Sequence, residues 1–259
     1  MVCVIGLLTG VLNALLGIGG GAVIVPALVL WAGYQQKEAQ AASLWYVVPT
    51  SLFAGFLYKS GSLDVRLEYV AAMVAAAFVG AIIGAPLVKR IHQRPLRQVF
   101  AVALMCIALI MVVTASQPDI ATARHVRYLV LTWTGLVAGF LGSLLGIGGG
   151  VIVVPALVII GGFDQKIAQG MSLLYVVPTA LLSALLYRFH VKIRIDNTQV
   201  ALMMAGGLAG AFVGYQLMAA TRSEALRIIF AVALGVLSIF LILRARRARR
   251  KEHAPDWMI

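Results

Sequence analysis

Two segments of this 259-residue chain repeat almost verbatim, and the repeat restricts the possible folds more than any other feature. Leu12–Tyr58 aligns with Leu141–Tyr187 at an offset of 129, with 28 identities in 47 positions. The first copy contains Leu15-Leu16-Gly17-Ile18-Gly19-Gly20-Gly21 and then Val25-Pro26-Ala27-Leu28-Val29. The second contains Leu144-Leu145-Gly146-Ile147-Gly148-Gly149-Gly150 and then Val154-Pro155-Ala156-Leu157-Val158. Further on, Ser43-Leu44-Trp45-Tyr46-Val47-Val48-Pro49-Thr50 corresponds to Ser172-Leu173-Leu174-Tyr175-Val176-Val177-Pro178-Thr179. After a one-residue insertion the offset is 130, and Phe100–Leu104 matches Phe230–Leu234. The chain therefore divides into a first half, 1–115, a polar linker, 116–123, a second half, 124–243, and a basic tail, 244–259.

The material between the motifs is apolar. Hydrophobic residues make up 62% of the chain and charged residues 12%, about half the ~25% of a soluble domain. This excludes a soluble globular enzyme, a disordered chain and a disulfide scaffold. Cys3 and Cys106 stand singly in apolar runs and read as ordinary packing residues. Each half starts with an apolar segment (2–16; 127–145) that runs into the glycine cluster. A short segment follows (22–32; 151–162), too brief to span a bilayer as a straight helix. Three full-length segments complete each half: 39–58, 67–88 and 97–114, then 168–187, 198–219 and 225–243. The expected fold class is an all-α polytopic membrane protein. No cleaved signal peptide is expected, because the start lacks a basic region and residues 1–16 belong to the repeat.

Loop charges predict the orientation of these segments. Loop 89–97 nets +4 and its counterpart 220–227 nets +1; loop 59–68 nets 0 and its counterpart 188–196 nets +2. Residues 115–127 net +1, whereas the tail 244–252 nets +5. Counting Lys and Arg alone gives the same order, so 89–97, 188–196 and the tail are expected in the cytoplasm. That assignment requires each glycine-containing pair of segments to return to its starting side. The two halves are then of opposite orientation, the inverted-repeat plan of secondary transporters with a site near the midplane. Two parallel halves are the alternative. The net charge of +12 does not indicate nucleic-acid binding, because the basic residues lie in short loops and in the tail, where they suit anionic lipid.

The glycine clusters are the most specific candidates for chemistry. Gly19, Gly20 and Gly21, and Gly148, Gly149 and Gly150, predict a break between apolar helices. Irregular backbone at membrane depth is tolerated when buried in protein or lining a wet cavity. The half-helix that follows a break presents free N–H groups and a positive dipole end, which suit an anion. Close helix packing is the alternative role for such glycines. The segment after each cluster carries a polar face: Gln40, Ser43, Tyr46 and Thr50, repeated as Gln169, Ser172, Tyr175 and Thr179, within an arc of about 120°. Pro49 and Pro178 each release a carbonyl four residues earlier. Either this face lines a solute path or it holds helices together. Asn13 precedes the first cluster where Gly142 stands in the second, so any role it has belongs to one half. The stripes Ala76, Gly80, Gly84 and Gly206, Gly210, Gly214 read as helix packing. No charged residue or histidine lies well inside a predicted span, and His92, His125, His190 and His253 fall in loops or the tail; neither a metal nor a cofactor is expected.

The doubled Gly-Ile-Gly-Gly-Gly…Val-Pro-Ala-Leu motif, the Ser-Leu helix after each copy and the tandem layout resemble the TauE/SafE sulfite-exporter family of membrane permeases, over about residues 5–243. The resemblance implies transport of sulfite, a sulfonate or a related sulfur oxyanion across the bacterial inner membrane. It agrees with the anion reading of the glycines and goes further in naming sulfur. The expected activity is secondary transport of a small anionic solute, not enzymatic catalysis. An anion channel of the same architecture is the alternative, followed by a non-transporting membrane scaffold or membrane enzyme.

Overall fold

The computed structural model describes residues 1–61, 63, 65–87, 93–113, 124–191 and 197–252. Residues 88–92, 192–196 and 253–259 and the linker 116–123 lie outside the described residues, and so do the charge readings that fall on them. Among the described residues every regular element is helical. In the first half these are α1 (Val2–Leu16), α2 (Gly21–Trp31), α3 (Gln36–Ser60), α4 (Leu67–Leu87) and α5 (Gln93–Val113). In the second they are α6 (Arg124–Leu145), α7 (Gly150–Ile159), α8 (Gln165–Leu186), α9 (Asn197–Ala220) and α10 (Ser223–Glu252), with a π-helical turn at Tyr187–Val191 extending α8.

Among the described residues, six stretches are long and apolar enough to cross a membrane: 36–60, 67–87, 128–145, 165–189, 197–220 and 223–243. Large apolar side chains on their outer faces, among them Phe56, Ile82, Trp133, Phe212 and Val236, are exposed, as a lipid-facing surface requires. The chain is a multi-pass membrane protein. With 11 and 10 residues, α2 and α7 reach only about 15–16 Å at 1.5 Å per residue, half of a hydrocarbon core of about 30 Å.

Helix pairing runs between the halves. Helix α1 lies on α9 and α4 lies on α6, each pair touching backbone to backbone through glycine. Gly6 faces Met203 and Gly10 faces Gly207, while Gly206, Gly210 and Gly214 face Cys3, Leu7 and Val11; α1 and α9 therefore run parallel. Gly135 and Gly139 face Met73 and Ala77, and Gly84 faces Phe140, so α4 and α6 run parallel too. Tyr46 donates to the Gly6 carbonyl and Tyr58 to that of Ala14, which makes α3 parallel to α1. Tyr175 and Tyr187 donate to Gly135 and Ser143, which makes α8 parallel to α6. Between α3 and α8 the order reverses: Gly55 meets Leu174, and Tyr58 meets Gln169 and Gly170. Helices α1, α3 and α9 thus run one way and α4, α6 and α8 the other. For each of these helices the equivalent in the other half is antiparallel.

Candidate functional site

The two glycine clusters meet in the buried interior. Gly17 ends α1 in the left-handed conformation, its N–H donating to Asn13 O at 2.8 Å. Gly20 then caps α2 with φ of 69°. Gly146 and Gly149 take the same roles in the second half, with φ of 70° and 83°. A left-handed residue at a helix end avoids a Cβ penalty only if it is glycine. Gly21 and Gly150 are needed for a different reason. A β-carbon on Gly21 would lie 2.7 Å from Ile147 Cα, and one on Gly150 would lie 2.8 Å from the Ile18 carbonyl carbon. The N-termini of α2 and α7 are therefore pressed against each other's loops. Gly19 and Gly148 both pack on Val176.

The helix-start amides at this junction are short of acceptors. Hydrogen bonding of α2 begins with Val23 and Ile24, which donate to Gly20 O at 3.1 and 3.0 Å. In α7, Ile152 and Val153 donate to Gly149 O at 3.0 and 3.3 Å. Among the described residues, the N–H groups of Gly19, Gly20, Gly21 and Ala22, and of Gly149, Gly150 and Val151, have no protein acceptor, though all these residues are buried. Buried donors of this kind draw their partners from water or solute.

Buried side chains supply more unmet groups. Gln40 is 0% exposed and neither amide atom has a protein partner. Its aliphatic stem lies on Gly146, while that of Gln169 lies on Gly17, so each glutamine braces the loop of the opposite half. Gln169 Nε2 and Ser43 Oγ are likewise unpartnered. The remaining expected site residues are placed differently. Tyr46 and Tyr175 donate to the carbonyls of Gly6 and Gly135 at 2.8 and 3.2 Å. Thr50 and Thr179 donate to the carbonyls four residues earlier, at 2.9 and 3.0 Å. Ser172 Oγ lies 3.5 Å from Gly150 O. Tyr46, Thr50, Tyr175 and Thr179 thus connect helices or satisfy their own backbone. Gln40, Ser43 and Gln169 keep free hydrogen-bonding capacity, and the two glutamines keep it beside the glycine loops.

The sequence reading did not single out Tyr58 and Tyr187. Their hydroxyls bind the carbonyls of Ala14 and Ser143 at 2.6 and 3.0 Å and hold the ends of α1 and α6 in place. Their signal was available, since they are the last identical pair of the aligned repeat. The two equivalents differ in one respect: Tyr58 also touches Gln169 Oε1 at 3.1 Å, whereas Gln40 has no such bond. Lys166 donates to Ala219 O at 3.2 Å and caps the end of α9.

The junction holds neutral donors: two helix N-termini, with the buried glutamines Gln40 and Gln169 packed on their loops. The buried polar side chains of the described residues are Thr, Asn, Gln, Ser and Tyr, none of them charged. Such a site can bind a small anion by hydrogen bonds and dipoles and release it without breaking an ion pair.

Comparison with known proteins agrees with this architecture. The chain is 25% identical over 253 residues to the probable membrane transporter protein YunE of Bacillus subtilis, covering 87% of this chain and 92% of that protein. It is 25% identical over 256 residues to a probable membrane transporter protein of Methanocaldococcus jannaschii, covering 94% and 95%. A probable membrane transporter protein of Xylella fastidiosa is 26% identical over 251 residues, with 93% of each chain covered. No solved structure matches. The family model described as sulfite exporter TauE/SafE matches residues 1–111 and 131–259, and the chain accordingly belongs to that family of membrane transporters.

Proposed function

We propose that this transporter is a secondary carrier of a small sulfur-containing oxyanion, such as sulfite or a sulfonate, and binds it where the two glycine loops meet. The observation that carries the reading is the meeting of two loops whose buried amides at Gly19–Gly21 and Gly149–Gly150 are unmet, with Gln40 and Gln169, each holding an unpartnered polar atom, packed on the same loops. Two half-crossing helices directed at one place concentrate donors without a fixed charge. The sulfur chemistry is supported by the family's description as sulfite exporter.

The antiparallel relation of equivalent helices supports an inverted-topology repeat, with the hairpins α1–α2 and α6–α7 entering from opposite faces. Together with the loop charges, it supports an orientation in a bacterial inner membrane with the starts of α1, α3 and α9 and the end of α10 cytoplasmic and the basic tail against anionic lipid. Close approach of Gly21 to Ile147, and of Gly150 to Ile18, holds the two loops against each other. This favours a carrier that alternates over a continuously open anion channel. Sulfite uptake into proteoliposomes tests the reading: a carrier accumulates sulfite against its gradient when an opposing solute or ion gradient is imposed, and a channel does not. Purified protein that neither binds nor moves sulfite or sulfonates would overturn it.

A further inference from the structure

The two glycine loops are equivalent in backbone but not in surroundings, and the difference centres on Asn13. Its side chain is 0% exposed and lies on Gly20, where a β-carbon would be 3.3 Å from Asn13 Cβ and 3.5 Å from its carboxamide carbon. Nδ2 is 3.2 Å from Ser51 Oγ and 3.5 Å from Thr50 Oγ1. The Thr50 proton is committed to the Tyr46 carbonyl, so the Asn13 atom facing Thr50 has to be the donor. That leaves Oδ1 as the acceptor, and it has no partner.

The second half lacks this group altogether. Thr9, Asn13 and Ser51 are replaced by Ala138, Gly142 and Ala180. A β-carbon on Gly142 would be 2.5 Å from the Gly149 nitrogen, so α6 backbone fills the space that the Asn13 side chain takes beside Gly20. One loop is closed over by glycine, and the other is faced by a buried acceptor.

From this contrast we infer that Asn13 is a specificity-determining residue, whose Oδ1 accepts a hydrogen bond from the transported anion itself. The inference rests on the anion reading of the glycine loops and refines it. The amides of Gly19–Ala22 offer donors to the oxygens of an oxyanion, and Asn13 Oδ1 beside them asks for a donor in return. A cation at Oδ1 would face those same N–H dipoles. A fully deprotonated oxyanion without a donor would leave Oδ1 desolvated and unpaired. The chemistry that satisfies both is a singly charged oxyanion bearing an O–H or N–H, as in hydrogensulfite or an amino- or hydroxyl-bearing sulfonate. Sites built to pair with a ligand hydrogen discriminate strongly against analogues that lack it.

Sulfamate and methanesulfonate separate this from plain anion binding. They share charge and shape and differ in an amino group against a methyl group. Titration calorimetry on the full-length protein in detergent is expected to show sulfamate binding roughly tenfold or more tightly. In Asn13→Leu the ratio is expected to fall within about threefold, with methanesulfonate affinity little changed. Equal affinity for the two anions in the unsubstituted protein would overturn the assignment and leave the anion site standing. So would an Asn13→Leu variant that weakens both alike. Binding of neither anion, nor of sulfite, would remove the anion site and this refinement with it. If Asn13→Leu is not monodisperse, Asn13→Ala takes its place; if neither folds, the ratio in the unsubstituted protein decides.

Discussion

Gly21→Ala gives the sharpest test of the junction, because its effect is steric and not conformational. Gly21 is the first residue of α2 and is not among the positive-φ glycines, so alanine is compatible with its backbone. The obstacle is the facing loop: the new methyl would lie 2.7 Å from Ile147 Cα and 2.8 Å from Ile147 O. Restoring an ordinary carbon contact of about 3.5–4.0 Å requires the two loops to separate by roughly 1 Å. Overpacking of this kind costs about 1–3 kcal/mol. The better helix propensity of alanine offsets up to about 1 kcal/mol of that, so a modest loss of stability is expected. Binding should suffer more. A shift of 1 Å takes an amide out of hydrogen-bonding distance of an anion held by both loops, and a hydrogen bond to a charged group contributes about 1.5–3 kcal/mol. Affinity for sulfite should therefore fall by roughly 10- to 150-fold. The mirror change Gly150→Ala, against the Ile18 carbonyl, should act alike. Gly235→Ala is the control, because nothing lies within 4 Å of the added methyl. Calorimetry with sulfite on monodisperse protein, with thermal unfolding in parallel, reads both quantities. Wild-type affinity in both junction variants would refute the site.

Gln40→Leu removes an amide with no protein partner, so thermal stability should be unchanged or raised while sulfite affinity drops about tenfold; a parallel melting curve and titration check the split. Gly20→Val puts a branched side chain at φ of 69°, a cost of about 1–3 kcal/mol, and should abolish sulfite uptake into proteoliposomes by folded protein. Gly80→Ala drives a methyl into the Leu136 carbonyl and should destabilise the α4–α6 contact by about 1–3 kcal/mol, seen as a lower melting temperature. For topology, Ser60→Cys and Ser223→Cys in a background without Cys3 and Cys106 should react with an impermeant thiol reagent from outside intact cells, and Gln35→Cys and Arg188→Cys should not. Labelling of Ser60→Cys and Arg188→Cys from the same face would contradict the inverted arrangement.

Much of this was legible in the residues because the chain states it twice. Repetition of Gly-Ile-Gly-Gly-Gly between apolar runs located the broken helices, and the short segments after it are the half-crossing α2 and α7. The polar face of α3 and α8 was legible as a face, but its division of labour was not. Whether Tyr46 or Gln40 retains a free group depends on where the Gly6 carbonyl lies, and that is a property of α1 packing across 40 residues of sequence. The glycine stripes announced close packing without naming the partner. Their spacing is the same whether α4 meets a helix of its own half or α6. Nor did spacing show how close the contact is: Gly80, a position where a methyl group looks harmless from the stripe alone, has the backbone of α6 against it.

The exchange of partners between the halves has a consequence for the origin and biogenesis of the protein. Helix α1 finds its glycine-lined groove on α9, nearly 200 residues later, and α4 finds its own on α6. Neither half can bury these faces by itself. On the inverted-repeat reading proposed above, a half-length ancestor would have met the same contacts by pairing with a second, oppositely inserted copy of itself. In the present chain, α1 must wait in the bilayer without its mate until α9 has been synthesised. Expressed as two separate polypeptides, 1–115 and 124–259 should be recovered together or not at all.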